Sequence, residues 1–152
     1  MDLMLQGLRA LVTGASRGLG YATALGLAGE GVAVALNSRS IDSLHLAADR
    51  IREKTGRTIA IFPGDITDPD IPARLVGEAA GAFGGLDLLV TNTSGPPSGP
   101  FDSFDDGDWQ RAVELFLLSH VCLIRAAMPY LRQSKTGLAI EQRPGKRECH
   151  QR

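Results

Sequence analysis

A glycine-rich stretch near the amino terminus has the residue types and spacing of a phosphate-binding turn. It spans residues 13–20, which read TGASRGLG, and it follows a short apolar run at residues 8–12. Downstream, Ala22, Leu25 and Ala28 recur at helical spacing. A turn between a strand and a helix points backbone N–H groups and a helix N-terminus at an anion. The pattern therefore predicts phosphate binding, with an ordinary tight turn as the alternative.

The glycines of this turn have different predicted tasks. Gly14 can adopt a backbone conformation that is closed to residues with a Cβ. Gly18 allows a pyrophosphate to approach the backbone, and Gly20 allows the helix to pack closely on the strand. Together these properties are those of a turn that holds the phosphates of a dinucleotide.

The elements that position the turn alternate between strands and helices. Apolar runs at residues 8–12, 32–36, 58–62 and 86–92 predict four strands. The second run has no polar alternation, as in strands that are buried on both faces. The helices between them are predicted to start at Ser40 and at Asp68 or Asp70, and to end at Gly56 and at Gly84. We expect an α/β fold with a doubly wound parallel sheet.

A loop and a long helix follow the fourth strand. Residues 93–100 are rich in Gly, Pro and Ser and predict a loop over a site. The helix is predicted from about residue 105 to residue 132, and its apolar residues cover most of its circumference. A helix of this kind needs two partner surfaces. We expect its own sheet on one side and a neighbouring subunit on the other, which makes the protein a homo-oligomer through residues 105–132.

Length and composition limit the class of protein. The chain has 152 residues, enough for one domain, and is 43% hydrophobic and 22% charged, as soluble globular proteins are. Its net charge of -1 gives no general reason to bind nucleic acid or an anionic membrane. The most apolar window, residues 112–131, carries Glu114, His120 and Arg125 and is expected to be a poor membrane span.

Cysteine usage and the first residues indicate the compartment. Cys122 and Cys149 lie far apart and neither belongs to a Cys-x-x-Cys pair, so we predict no disulfide and no metal site. A reducing cytoplasm is the expected location. Residues 1–6 have no basic segment followed by a long apolar one, so no signal peptide is expected.

Four ordered motifs carry a resemblance to a known family. Residues 13–20 closely resemble the Thr-Gly-x-x-x-Gly-x-Gly motif of the short-chain dehydrogenases/reductases. Asp65 after the third strand, the NTSG run at residues 92–95 and Trp109 at the start of the long helix match further family positions in order. Read singly, Asp65 is a turn residue and Asn92 is a strand-end cap. The resemblance covers about residues 5–136. Within the family, the chain is similar to the 3-oxoacyl-ACP reductases.

This resemblance implies a Rossmann-type fold, a dinucleotide cofactor and a small carbonyl or alcohol substrate. An acidic side chain at the end of the second strand would bind the ribose 2′-hydroxyl of NAD, but the chain has Asn37, Ser38 and Arg39 there. Arg39 and Arg17 can pair with a 2′-phosphate, so NADP (NADPH) is favoured over NAD, the alternative being two solvated arginines. The residues expected to bind the cofactor are Gly14, Ser16, Arg17, Gly18, Leu19, Gly20, Ser38, Arg39, Asp65, Ile66, Asn92 and Gly95.

The resemblance also implies which catalytic residues to seek. The family uses a serine after the fifth strand and a Tyr-x-x-x-Lys on the next helix, where the tyrosine moves the proton and the lysine lowers its pKa. Neither tyrosine fits, because Leu25 follows Tyr21 and Ser134 follows Tyr130 by four residues. The family asparagine expected near Phe116 is also absent, which resembles a subset of reductase-like members with an apolar residue there, so the missing tyrosine and lysine decide the assignment. We therefore assign no catalytic residue.

Two functions remain open at this point. The first is an NADP-dependent oxidoreductase chain that retains its cofactor-binding motifs and is inactive alone. The alternative is a non-catalytic dinucleotide-binding or subunit-docking module. A methyltransferase is disfavoured by the spacing of residues 13–20 and by the presence of Asp65 and Asn92.

The end of the chain departs from the family pattern. After LAI at residues 138–140 the sequence is polar and without period, and it cannot bury much apolar area. We predict a partial Rossmann domain at residues 1–136, truncated after the fourth strand and the long helix, with an exposed fourth-strand edge. Residues 137–152 are predicted to be an irregular polar tail from a shifted or truncated reading frame, the alternative being a basic interaction tail. Cys149 and His150, an isolated pair in that tail, predict no metal site.

Overall fold

The structure, a computed structural model, describes residues 3–95 and 97–142. Five parallel strands form one sheet in the order β3-β2-β1-β4-β5. They are β1 (Arg9–Val12), β2 (Ala33–Ser38), β3 (Ala60–Pro63), β4 (Leu88–Thr91) and β5 (Leu138–Glu141). The helices are α1 (Gly18–Gly29), α2 (Ile41–Thr55), α3 (Ile71–Phe83), α4 (Asp106–Val113) and α5 (Ser119–Leu131). The predicted α/β fold with a doubly wound parallel sheet is confirmed.

Helices cover both faces of the sheet, and the alternation of side chains along the strands divides the core in two. Val12 and Val34 point to the face that packs with α1 and α2. Leu11 and Leu89 point to the opposite face, which packs with α3 and α5. All four of these side chains are at most 2% exposed. Burial on both faces explains why the strands read as continuous apolar runs.

The predicted helix boundaries agree with the structure. Ser40 lies at the N-cap of α2, where its side chain accepts a hydrogen bond from the Ser43 amide at 3.3 Å. Gly56 and Gly84 follow α2 and α3 in the left-handed conformation, with φ of 68° and 73°. Asp70 is the residue before α3. Local capping chemistry therefore sets the lengths of the helices that face the sheet.

An ion pair joins the amino-terminal ends of β1 and β4. The Arg9 guanidinium donates to both carboxylate oxygens of Asp87, from Nε at 2.7 Å and from NH2 at 2.8 Å. The Arg9 amide donates to the same carboxylate at 2.9 Å. The Asp87 side chain is only 6% exposed. The hydrogen bond from Arg9 lowers the pKa of Asp87 to about 2.

The long predicted helix is present and runs from Asp106 to Leu131, with a π-helical turn at Glu114–Leu118 between α4 and α5. Its first turn is closed by a capping box between Asp105 and Asp108. Trp109 contacts two phenylalanines of the preceding segment, in a tilted arrangement with Phe101 at 5.6 Å between ring centroids and edge-to-face with Phe104 at 6.4 Å. Trp109 therefore fixes the segment after the 93–100 loop to the start of the helix.

This helix is only partly covered. Leu123, Ala127 and Leu131 are buried in the core, whereas Val113, Leu117 and Leu118 are about half exposed. The helix is long and apolar enough to pass as a membrane span by length and composition, a test that core helices of soluble proteins also pass. Because core helices pass the same test, the expectation of a poor membrane span stays a prediction.

The prediction that the sheet ends after the fourth strand is wrong. Residues 138–141 form β5, parallel to β4, with Leu138 opposite Leu88 and Ile140 opposite Val90. The Leu138 amide donates to the Asp87 carbonyl, and the Gln142 amide donates to the Thr91 carbonyl, both at 2.9 Å. Three apolar residues suffice because pairing with β4 satisfies their backbone groups. Residues 143–152 of the predicted tail, with Cys149 and His150, lie outside the described residues.

Candidate cofactor cleft

A cleft of about 860 Å³ lies at the carboxyl ends of β1, β2, β3 and β4. Ligand sites of open parallel sheets lie outside the carboxyl ends of the strands. Eleven of the twelve residues expected to bind the cofactor line this cleft: Gly14, Ser16, Arg17, Gly18, Leu19, Ser38, Arg39, Asp65, Ile66, Asn92 and Gly95. The glycine turn, the end of β2, the segment after β3 and the NTSG run therefore meet at one site, whereas Trp109 does not line it.

The twelfth residue, Gly20, lies beneath the turn. It is buried, and a Cβ on it would run into the Gly14 carbonyl and the Asn92 side chain. Gly14 has φ +57°, and a Cβ there would lie 2.6 Å from the Asn92 carbonyl oxygen. At Gly18, with φ +59°, a Cβ would meet nothing within 4 Å, because that position faces the open cleft. Close packing thus requires Gly14 and Gly20, and backbone conformation requires Gly18.

Thr13 and Asn92 fix the turn to β4. The Thr13 hydroxyl donates to the Asn92 carbonyl at 2.9 Å and accepts from the Asn92 amide at 2.9 Å. The Asn92 side chain donates to the Gly14 carbonyl at 3.1 Å. Thr13 is fully buried and Asn92 is 8% exposed. These hydrogen bonds hold the glycine turn rigidly against the strand that carries the NTSG motif.

The amino terminus of α1 opens onto the cleft without a cap. Arg17, the N-cap residue, has extended backbone and makes no side-chain capping bond, and the first turn of α1 carries no acidic residue. The early N–H groups of a helix have no intrahelical partner, and together they carry a partial positive charge. With Gly18 and Leu19 lining the cleft, the end of α1 can bind an anion such as a phosphate.

The end of β2 contributes a cation and no carboxylate. Ser38 is half-buried and its hydroxyl donates to the Ser40 carbonyl at 3.3 Å. Arg39 is exposed. Within residues 3–95 and 97–142, neither Arg39 nor Arg17 forms an ion pair with a carboxylate. Both guanidinium groups are therefore free to pair with an anionic ligand.

Asp65 and Ile66 form the wall after β3. The Asp65 carboxylate accepts from the Thr67 amide at 3.0 Å and from the Thr67 hydroxyl at 2.7 Å. This turn holds the carboxylate at the rim, where it remains exposed, while Ile66 is 8% exposed. The wall thus offers an apolar side chain beside a hydrogen-bond acceptor, which suits a heteroaromatic ring that carries an amino group.

The opposite end of the cleft is lined by the NTSG run and by the long helix. Arg111, Glu114 and Leu115 reach it from α4 and the π-helical turn. Arg111 is paired with Asp108, and the pKa of Asp108 is lowered, first by the Asp105 backbone hydrogen bond and then by Arg111. Arg111 is thus a third cation at the cleft, but it is already neutralised by its partner.

Sequence reasoning missed ten lining residues: Asn37, Ser40, Ser43, Gly64, Thr67, Thr93, Ser94, Arg111, Glu114 and Leu115. Seven of them adjoin a predicted site residue or cap α2, so extending each motif by a few positions would have found them. Arg111, Glu114 and Leu115 belong to the long helix. They reach the cleft through tertiary packing, and no local pattern signals that placement.

No tyrosine lines the cleft in the described part of the chain, although the carboxylates of Asp65 and Glu114 do. Tyr21 packs against the core on α1, and Tyr130 packs against the opposite core cluster on α5. Neither belongs to the cleft lining. Among the described residues there is also no cluster of His, Cys, Asp and Glu side chains able to hold a metal ion. The arrangement can bind a dinucleotide, and it presents no acid or base of the tyrosine type.

Comparisons with known proteins agree with this geometry. Glucose 1-dehydrogenase of Gluconobacter oxydans is 48% identical over 86 residues, which are 57% of this chain and 32% of that protein. L-Sorbose reductase from Gluconobacter frateurii, complexed with NADPH and L-sorbose, superposes with a TM-score of 0.87 at 33% identity, over 93% of this chain and 54% of that one. A short chain dehydrogenase from Burkholderia cenocepacia in complex with NADP superposes with a TM-score of 0.82 at 33% identity, over 90% and 55% of the two chains.

The chain therefore spans about half the length, or less, of the relatives it matches. The family model described as short chain dehydrogenase covers residues 9–141, from the start of β1 to the end of β5. The order of the five strands, the glycine turn and this match lead to one conclusion: the chain belongs to the short chain dehydrogenase family.

Proposed function

We propose that this chain supplies the NADP(H)-binding part of an oxidoreductase that interconverts a small carbonyl compound and an alcohol. The observation that carries the proposal is the cleft beside residues 13–20, where an uncapped helix N-terminus faces the same space as Arg17 and Arg39. Solved relatives that are 33% identical contain NADPH or NADP. The reaction class rests on the family to which the chain belongs.

Each wall of the cleft has a proposed role in holding the cofactor. The amino terminus of α1, with Ser16, Gly18 and Leu19, would hold the pyrophosphate. The end of β2, with Ser38 and Arg39, would hold the adenosine ribose and its 2′-phosphate, assisted by Arg17. Asp65 and Ile66 would contact the adenine, and Asn92 and Gly95 would line the side that holds the nicotinamide ribose. The roles are proposed for Gly14, Ser16, Arg17, Gly18, Leu19, Ser38, Arg39, Asp65, Ile66, Asn92 and Gly95.

NADP is favoured over NAD on electrostatic grounds. A carboxylate at the end of β2 would bind the 2′-hydroxyl of NAD and repel a 2′-phosphate, but Ser38 and Arg39 occupy that segment. A guanidinium pairs with a phosphate through two parallel N–H donors. With Arg17 across the cleft, two cations would share the 2′-phosphate charge.

The chemistry divides between the cofactor and an acid of the tyrosine type, which does not line the cleft in residues 3–95 and 97–142. When bound, NADPH supplies a hydride to a carbonyl carbon. The proton for the carbonyl oxygen needs an acid positioned in the cleft, and neither Tyr21 nor Tyr130 lies there. We propose that these 152 residues bind the cofactor and do not turn over substrate alone. The same observation favours a second candidate, a non-catalytic dinucleotide-binding module.

The exposed side of the long helix has a proposed partner. Val113, Leu117 and Val121 are each at least 39% exposed on one helix. A contiguous apolar surface of this kind is typical of a protein interface. We propose a second copy of this chain as the occupant, through residues 105–132. The proposed location is the cytoplasm, where Cys122 would stay reduced.

Calorimetric titration of the purified chain with NADPH and with NADH tests the proposal. We expect saturable NADPH binding that is tighter than NADH binding, and no NADPH oxidation with ketone or aldehyde substrates. An insoluble product would count against the binding-module alternative, which requires a soluble, monodisperse chain. Turnover that survives removal of contaminating reductases would contradict the proposed lack of activity, and absence of binding would contradict the proposed cofactor site.

A further inference from the structure

A buried amide lies between the glycine turn and the segment that carries Asp65. Asn37, near the end of β2, is 1% exposed. Its side-chain nitrogen donates to the Phe62 carbonyl at 2.9 Å and to the Gly64 carbonyl at 3.1 Å. Both hydrogens of the amide are therefore used to hold the end of β3. None of the family motifs in the sequence singles out this residue.

The backbone of Asn37 is hydrogen-bonded to the glycine turn on the other side of β2. The Asn37 carbonyl accepts from the Ala15 amide at 3.0 Å, inside the glycine turn. The adjacent Ser38 carbonyl accepts from the Gly64 amide at 3.0 Å. Residues 37 and 38 of β2 therefore contact two segments of the cleft wall. One is the glycine turn, proposed to hold the phosphates, and the other is the Gly64 segment that leads into Asp65. A shift at Asn37 would change the width of the cleft between them.

The chemistry of the side chain is specific. The two carbonyls belong to the point where β3 ends and the chain turns towards Asp65, so Asn37 supplies donors where strand pairing is ending. A leucine of similar volume would leave both carbonyls without this donor, and an aspartate would place a carboxylate against two carbonyl oxygens. Partly buried carbonyls left without a donor are costly, and the segment would move to find other partners.

We propose that Asn37 is a positioning residue that sets the adenosine end of the cleft, by fixing Gly64 and hence Asp65 and Ile66 relative to Ser38 and Arg39. This inference rests on the proposed function, since it assigns that end of the cleft to the adenosine 2′-phosphate moiety. Asn37 acts through the segment it holds. It therefore affects ligand affinity and the local stability of residues 64–67 together.

The test compares Asn37→Leu and Asn37→Ser with Thr55→Val. Thr55→Val also removes a side-chain hydrogen bond to a carbonyl, from the Thr55 hydroxyl to Ile51 at 2.8 Å, but at the far end of α2. Binding of adenosine 2′,5′-bisphosphate is measured by calorimetry at a temperature where circular dichroism shows each variant folded. Amide hydrogen exchange is measured without ligand. Asn37→Ser retains a shorter side chain with a hydroxyl donor. If Asn37→Leu does not fold, the comparison is made with Asn37→Ser alone.

We expect both Asn37 variants to weaken the bisphosphate by about tenfold, the scale of one or two lost hydrogen bonds, and Thr55→Val to leave its affinity unchanged. Exchange should rise at the Gly64 and Thr67 amides in the Asn37 variants, with the Leu89 amide in the sheet unchanged. Exchange that rises equally at all three amides would show a purely structural role and overturn the proposal.

Failure of the proposal and failure of the proposed function are separable. If the unmodified chain binds NADPH and the bisphosphate while the Asn37 variants bind equally well, only the role of Asn37 is overturned. If the unmodified chain binds neither compound, the proposed cofactor site is wrong and the role of Asn37 is overturned with it.

Discussion

The Asn92 side chain donates to the Gly14 carbonyl at 3.1 Å, and this contact determines what the glycine turn can tolerate. Asn92 lies so close that a Cβ on Gly14 would be 2.6 Å from its carbonyl oxygen and 2.7 Å from its side-chain nitrogen. A Cβ on Gly20 would lie 2.8 Å from the same nitrogen. The first and last glycines of the motif are therefore required by Asn92, the residue after β4, and at Gly20 also by the Gly14 carbonyl, whether or not a ligand is bound.

Alanine at Gly14 or Gly20 should destabilise the fold. At Gly14 the substitution adds left-handed strain to the overlap with Asn92, and we expect a loss of at least about 2 kcal/mol in the free energy of unfolding. Gly26→Ala is the matched control, because a Cβ there meets nothing within 4 Å inside α1. That control should be neutral or stabilising by up to about 1 kcal/mol. Urea unfolding followed by circular dichroism measures all three variants, and equal stability of Gly14→Ala and Gly26→Ala would contradict the packing argument.

Cofactor preference should depend on Arg39. Replacing Arg39 with Asp removes a cation and places a carboxylate where a 2′-phosphate would lie, so NADPH affinity should fall at least about tenfold. NADH affinity should change less or improve, because the new carboxylate can accept from the 2′-hydroxyl. Arg50→Asp makes the same charge change on the exposed surface of α2, outside the cleft. Calorimetry with both cofactors measures the ratio, and a ratio that does not differ between the two variants would contradict the assignment.

Local chemistry made most of the fold predictable. The apolar run at residues 32–36 indicates a buried strand, and Ser40 and Gly56 indicate the two ends of a helix. The structure agrees with both, as β2 and α2 show. β5 was missed because its apolar run has only three residues before a polar segment. Its stability comes from pairing with β4, which has a free edge at that point. Such pairing is a property of the sheet and not of residues 138–141 alone.

The sequence motifs that line the cleft could be predicted, whereas the residues that hold these motifs in place or reach the cleft from other elements could not. Glycines indicate a phosphate site through the backbone conformations open to them, and arginines indicate it through their positive charge. Asn37 and Arg111 carry no such signal, because their positions depend on the packing of β2 beside β3 and of α4 beside the 93–95 segment. Gly20 is predicted from the sequence both to allow close packing and to bind the cofactor, and the structure buries it below the turn, where it allows the packing.

Stability should fall in acid through Asp87. Its pKa is lowered from 3.8 to about 2 by Arg9, so the ionised pair stabilises the folded state above pH 3.8. That contribution, about 2 kcal/mol, is lost as the pH falls from 3.8 through 2. Asp87→Asn should therefore be less stable than the unmodified chain at pH 7, with a difference that shrinks towards pH 2. Urea midpoints across this pH range measure the difference.

An exposed ion pair provides the control for that measurement. Asp49 pairs with Arg52 on α2, with both side chains more than half exposed. Exposed pairs contribute at most about 1 kcal/mol. Asp49→Asn should therefore give a small difference at every pH. A difference for Asp87→Asn that stays constant from pH 7 to pH 2 would mean that the carboxylate charge is not the cause.

Self-association should depend on the exposed side of the long helix. Leu117 is 56% exposed between Val113 at 50% and Val121 at 39%, and a glutamate at Leu117 would place a charge in the centre of this apolar surface. Burying an unpaired carboxylate in an interface is costly, so Leu117→Glu should shift the chain from dimer to monomer. Leu46→Glu is the matched control, since Leu46 is 59% exposed on α2, away from the helix. Sedimentation velocity at several concentrations measures the shift. If Leu46→Glu and Leu117→Glu sediment alike, the helix is not the interface, because the charge change is the same and only its place on the surface differs.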